Sequence, residues 1–160
     1  MSTEPNAGQA TASAAASHAG GQQLAALLVD AASWPGLLVA ESAREPALAA
    51  AIVSVELPVD LDATDAPRPS TLQALRGVLR PTDRVTIYSP TELAVLLAPV
   101  AGATDARALV TLVDEALRSA VASARVGWAM RGAGEDLLDV AARADAVRAR
   151  AQIRRERPAQ

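Results

Sequence analysis

The chain has 160 residues, 51% hydrophobic and 21% charged, with a formal net charge of −3. That is the length of one domain with apolar surface enough for a core, and it gives no global attraction to nucleic acid or anionic lipid. The absence of Cys excludes disulfides, thiol nucleophiles and Cys-ligated zinc, and a single His, His18, argues against a His-based triad or a multi-His metal site.

All 15 basic residues are Arg, which removes Walker-type and Schiff-base lysines. The aromatic residues are Trp34, Tyr88 and Trp128, too few to stack bases, so nucleic acid is not an expected partner. Residues 1–21 carry Ala, Ser, Gly and Gln without an apolar period and read as a disordered tail. They have neither the basic start nor the apolar core of a signal peptide. No run of about 18 apolar residues occurs, so no membrane span is expected and cytoplasmic residence is the default.

The ordered part alternates in character. Residues 22–30 follow a helical pattern with Leu24, Leu27 and Leu28 on one face, and Trp34-Pro35-Gly36 breaks it before a helical stretch at 37–43. Residues 49–57, with β-branched Ile52, Val53 and Val55, read as a strand. Residues 58–69 are acidic and Pro-rich, hence a loop. Ser70 can cap a helix bearing Leu72, Leu75 and Leu79, which ends before Pro81. Residues 84–88 and 93–98 are two strands joined by Ser89-Pro90-Thr91-Glu92, a hairpin length. A helix over 104–121, a strand over 124–130, a turn at 132–134 and a helix over 135–155 complete the order. A hairpin inside an alternating pattern predicts a mixed, mostly antiparallel α+β sheet flanked by helices, with a domain over 22–155 and a polar tail at 156–160.

At the hairpin, residues 75–100 (LRGVLRPTDRVTIYSPTELAVLLAPV) resemble the central part of GGDEF domains, the diguanylate cyclase family. Ala124-Arg125-Val126-Gly127-Trp128-Ala129 is similar to the family's S-x-G-x-A strand, and Ala144-Asp145 to the A-D motif of its final helix. The resemblance covers roughly residues 30–152 and implies a nucleotidyl-cyclase-like fold.

The departures from the family pattern set the expected function. Its cyclases join two GTP molecules with Mg²⁺ held by two carboxylates, one ending the first strand and one in the signature turn. A hard cation among phosphates requires such anionic oxygens. The matching positions here are Ser54 and Thr91, both neutral. Glu56 lies on the strand face of Ser54, and Glu92 keeps the adjacent acidic letter. Ser89 and Pro90 replace the signature glycines, and Pro90 has no N–H. The degenerate signature is thus Ser89, Pro90, Thr91, Glu92 and Leu93. The family's phosphate-holding Lys and Arg would fall near Gln152 and Glu156. From this resemblance the chain is expected to be a catalytically inactive homologue, with no catalytic residue, no metal and no cofactor.

Arg80-Pro81-Thr82-Asp83 fits R-x-x-D at the spacing of the family's inhibitory site, which implies cyclic di-GMP as ligand. An Arg can pair bidentately with guanine or phosphate, and a carboxylate accepts from guanine's edge. Arg107 and Arg118 are candidates for the further Arg such sites take from a neighbouring surface or from a second protomer in a homodimer. The same four residues also suit a helix end and a turn before a strand. Other features have plainer readings. Arg143, Arg148, Arg150, Arg154, Arg155 and Arg157 read as a solvated helix face, Asp60, Asp62 and Asp65 as a solvated loop, and both Trp residues as core or rim. The expected function is a cyclic di-GMP receptor through Arg80 and Asp83. The alternative is a nucleotide-independent interaction module on the same fold, with a protein partner the sequence does not identify.

Overall fold

The computed structural model describes residues 25–59, 67 and 69–156. The expected tail at 1–21, most of the 58–69 loop and residues 157–160 lie outside the described residues. In chain order the elements are β1 (Leu28–Val29), α1 (Trp34–Arg44), β2 (Ala51–Glu56), α2 (Pro69–Val78), β3 (Arg84–Ser89), β4 (Glu92–Leu97), α3 (Ala103–Ala120), β5 (Arg125–Met130) and α4 (Leu137–Glu156). They form one mixed sheet of order β1-β3-β4-β2-β5 with helices on both faces. Only β1 and β3 run parallel; β3–β4, β4–β2 and β2–β5 are antiparallel. This is the mixed, mostly antiparallel α+β sheet that the alternating pattern predicts.

β2 is an interior strand, between β4 and β5, and its residues from Ala51 to Val55 are buried whichever face they point to. Val53 and Val55 join Val85, Val95, Leu97, Leu75, Val113 and Leu117 in a core under α2 and α3. Ile52 faces the other way, with Ala94, Leu96 and Ala129 under Trp34, Leu38, Leu137, Val140 and Ala144 of α1 and α4. Each fully buried Leu or Ile here is worth about 1.5–3 kcal/mol relative to exposure.

Two N-terminal expectations are corrected. Residues 25–27 are helical, and Leu28 and Val29 then pair with Val85 and Thr86 as a strand. The unpaired backbone of β3 supplies hydrogen bonds that outweigh a short helix's weak propensity. Trp34-Pro35-Gly36 opens α1 instead of breaking it. Pro35 sits in the first turn, where its missing N–H has no intrahelical partner to lose. Arg131, 7% exposed, ties the two halves of the chain. Its guanidinium donates to the carbonyls of Ser42, Glu45 and Glu135, closing the C-terminal end of α1.

Candidate functional site

The first candidate lies at the β3–β4 hairpin. Ile87 pairs with Leu93, then Ser89 with Glu92, with an irregularity at Tyr88 between them. Pro90 and Thr91 alone therefore form the tip. Ser89 Oγ accepts from the Thr91 N–H at 3.2 Å, and Thr91 O accepts from Leu57 N–H at 2.7 Å, so the turn is tied to the end of β2. Leu93 is core, not site: it is 1% exposed.

Ser54 and Glu56 face α4 from β2. Buried Ser54 donates its hydroxyl to Asp145. Glu56 stands directly opposite Glu92 in the sheet. Two like charges at that spacing repel, and each is neutralised by its own guanidinium. Arg125 Nη1 reaches Glu56 at 3.1 Å, and Arg148 Nη2 reaches Glu92 at 3.1 Å. Arg148 also lies 3.8 Å from Asp145 and donates to Val55 O at 3.4 Å. The Tyr88 phenol beside them is pushed above its ordinary value, first by burial, then by the charges of Asp145 and Glu92.

α4 reaches this cleft because of Gly127. A Cβ there would stand 2.5 Å from Ala144 O and 2.7 Å from Arg148 Cα, so glycine is what lets the helix backbone lie on β5. The S-x-G-x-A and A-D resemblances thus coincide with a packing contact between Gly127 and Ala144. Arg148, expected on a solvated face, is corrected: its side chain is 16% exposed and bound within the cleft. Its spacing of three from Asp145 was the signal available for it. Gln152 and Glu156 have no described side chains.

These groups do not fit the divalent cation that the resemblance implies. Ser54 and Thr91 are neutral hydroxyls, and Glu56 and Glu92 each already hold an Arg. Among the described residues no group of three or more His, Asp or Glu could hold a metal.

The second candidate is the turn between α2 and β3. Asp83 folds inward, its side chain 1% exposed against 33% for Arg80. Its carboxylate accepts from Arg80 N–H at 2.8 Å, from Arg80 Nη2 at 2.8 Å and from Ala98 N–H at 3.3 Å. The guanidinium of Arg80 is held above its ordinary value chiefly by the hydrogen bond to Asp83; burial opposes this, and the charges of Asp83 and Asp105 add to it. The oxygens of Asp83 are therefore saturated internally, and no lone pair faces outward for a guanine edge. Arg80 is equally not a mere solvent-facing Arg, since it is the counter-ion of a buried carboxylate.

Arg107 is exposed on the second turn of α3, two residues past Asp105. Arg118 lies eleven residues further, roughly 16 Å along the helix, and pairs with Asp114 at 2.9 Å. The structure does not bring Arg107 and Arg118 together around one small ligand.

A sheet of order β1-β3-β4-β2-β5 with this hairpin and these helices is the GGDEF fold, the fold of diguanylate cyclase domains. The sequence matches no family model and no curated protein. Solved structures carry the likeness. A DGC protein from Thermotoga maritima superposes with a TM-score of 0.59 at 16% identity, over 75% of this chain and 95% of that one. The GGDEF domain of DgcB from Caulobacter crescentus, solved with cyclic di-GMP, gives 0.64 at 15%, over 78% and 83%. The diguanylate cyclase SiaD from Pseudomonas aeruginosa, solved with its activator SiaC, gives 0.62 at 18%, over 77% of this chain and 54% of that one.

These likenesses correct one expectation. The chain is not set apart as a non-enzyme: its structural neighbours include diguanylate cyclases, and its fold is consistent with a cyclase. Among the described residues no helix is long and apolar enough to cross a membrane.

Proposed function

We propose that this chain is a cyclic di-GMP receptor that takes its ligand at the Arg80–Asp83 turn. The fold supports the reading, since a GGDEF domain of that fold was solved with cyclic di-GMP. The observation that carries it is the presentation of Arg80. Its guanidinium is one-third exposed at a helix end and clamped through Nε and Nη2 by a buried carboxylate. Nη1 makes no hydrogen bond among the described residues, which leaves its donors for a guanine or a phosphate. Pre-orienting a long side chain removes part of the ordering cost of binding. Asp83 is then a positioning residue, holding the guanidinium instead of reading guanine itself. Arg107 supplies a second exposed guanidinium, and Arg118 acts only across a homodimer.

Calorimetric titration with cyclic di-GMP tests this. A charge-assisted hydrogen bond is worth about 1.5–3 kcal/mol, so Arg80→Ala weakens binding about ten- to a hundredfold. Arg107→Ala, on an exposed helix surface, weakens it without lowering the melting temperature. Equal affinity in wild type and both variants refutes the site. No heat with wild type favours the interaction module, in keeping with SiaD having been solved with a protein activator.

A further inference from the structure

β5 ends the sheet, and among the described residues no strand pairs with its outer side. The direction of its free backbone groups follows from one hydrogen bond. Arg131 N–H donates to Ala50 O at 2.8 Å, next to the Met130–Ala51 pair. Antiparallel pairs alternate between bonded and non-bonded, so residues 129, 127 and 125 also bond inward to β2. Val126, Trp128 and Met130 therefore turn N–H and C=O outward. Met130 O bears this out, accepting from Arg143 Nη2 at 2.7 Å on the outer side. That leaves five outward groups, the N–H and C=O of Val126 and Trp128 and the N–H of Met130.

Exposed edges are usually blunted by Pro, a bulge or an inward-pointing charge. Residues 126–130 carry no charge and no Pro, and the β2–β5 register has no shift. Beside the edge runs a cavity of about 430 Å³, between Trp128 and Met130 of the strand and Ala146, Val147 and Arg150 of α4. Val147 is 43% exposed, a large apolar side chain facing that space.

We propose that the outer edge of β5 and the adjoining face of α4 dock an extended segment of a partner protein with alternating apolar and acidic residues. Backbone pairing supplies affinity, and alternate side chains enter the groove. The acidic character follows from charge. Arg150 lines the groove and meets no carboxylate among the described residues, whereas Arg143 at the other end is already paired with Glu135 at 2.7 Å. A second copy fits poorly. Twofold pairing of β5 with itself would centre on Trp128 and set Arg150 of one α4 against the Arg143–Glu135 pair of the other, which offers it no free carboxylate.

The test uses the full chain and a synthetic peptide of alternating valine and glutamate, with amide hydrogen exchange as readout. Saturating peptide slows exchange at Val126, Trp128 and Met130 by about tenfold or more. Arg150→Glu weakens the glutamate peptide about fivefold and does not weaken one with lysine in place of glutamate. Val126→Pro removes an outward donor without breaking a bond to β2, and abolishes binding. Absence of protection at the three amides with either peptide overturns the groove. Equal protection by both peptides, insensitive to Arg150→Glu, overturns the acidic assignment. A sedimenting dimer whose three amides are protected without peptide assigns the edge to a second copy and overturns the partner.

Discussion

Gly127→Ala adds one methyl where, among the described glycines, a Cβ would meet its neighbours most closely. The new Cβ would stand 2.5 Å from Ala144 O, where ordinary contact begins at 3.4 Å, a shortfall of 0.9 Å. The obstacle is helix backbone, which cannot rotate out of the way as a side chain could. Either α4 retreats by nearly an ångström or β5 bends. Retreat lifts Leu137, Val140 and Ala144 from Ile52, Leu96 and Ala129, and it stretches the bonds from Ser54 to Asp145 and from Arg148 to Glu92. Overpacking a close-packed site costs about 1–3 kcal/mol, sometimes more. With both cross-element bonds strained, the upper end applies, about 3 kcal/mol. For a domain of this size that lowers the melting temperature by about 10 °C. Thermal unfolding followed by circular dichroism measures it. Gly36→Ala is the matched control: nothing lies within 4 Å of its Cβ position in α1, so the same change stabilises by about 0.5–1 kcal/mol. A Gly127→Ala protein melting within about 2 °C of wild type refutes the account of how α4 is seated.

Asp83→Asn removes the negative charge from a carboxylate that serves Arg80 and the Ala98 N–H, and lowers stability by about 2–4 kcal/mol in denaturant titrations; a loss below about 0.5 kcal/mol would show the pair to be ornamental. Glu135 lies below its ordinary value of 4.5, first through the Gly132 N–H bond and, with burial opposing it, through Arg143. Its contribution is therefore present above the usual glutamate range and lost as pH falls through the lowered folded value. Glu135→Gln accordingly flattens the acid limb of the stability profile below pH 4.5 and leaves its slope at neutral pH unchanged. An acid limb as steep in the variant as in wild type would contradict this assignment.

The parts of the fold legible from sequence were those whose cause is local. β2 and the hairpin announce themselves by β-branched runs bounded by turn residues, and α3 by apolar residues at helical spacing. β1 did not, because Leu28 and Val29 become a strand only through Val85 and Thr86, 57 residues away. Pro35 reads as a break in the sequence because proline both ends helices and begins them, and only the packing of Trp34 and Leu38 decides. At the sites, residue types were visible and directions were not. R-x-x-D is a readable motif, but Asp83 turns inward to meet the Ala98 N–H at the end of β4. Arg148 reads as one more charge in a basic run until Gly127 brings its helix onto the sheet. Arg131 has no local signal, since its carbonyl partners at the C-terminal end of α1 and just beyond it lie 89 and 86 residues upstream.

The strand order has a consequence for how the chain is made. β2 sits between β4 and β5, both of which follow it in sequence. Its first neighbour, β4, ends at Leu97, and its second, β5, ends at Met130, 74 residues after Glu56. At synthesis rates of roughly 5–20 residues per second, one side of this buried strand waits about 4–15 seconds for its partner. During that interval Ile52, Val53 and Val55 can pair with any available edge, including another nascent copy. Topologies closed by such distant pairings also fold slowly in isolation. A truncation ending before Arg125 leaves β2 permanently in that state, with one ladder unmade and the Ser54 hydroxyl without Asp145. Such fragments will aggregate instead of reporting on the sites they contain, so the hairpin and the Arg80 turn are meaningful only in a chain that extends through α4.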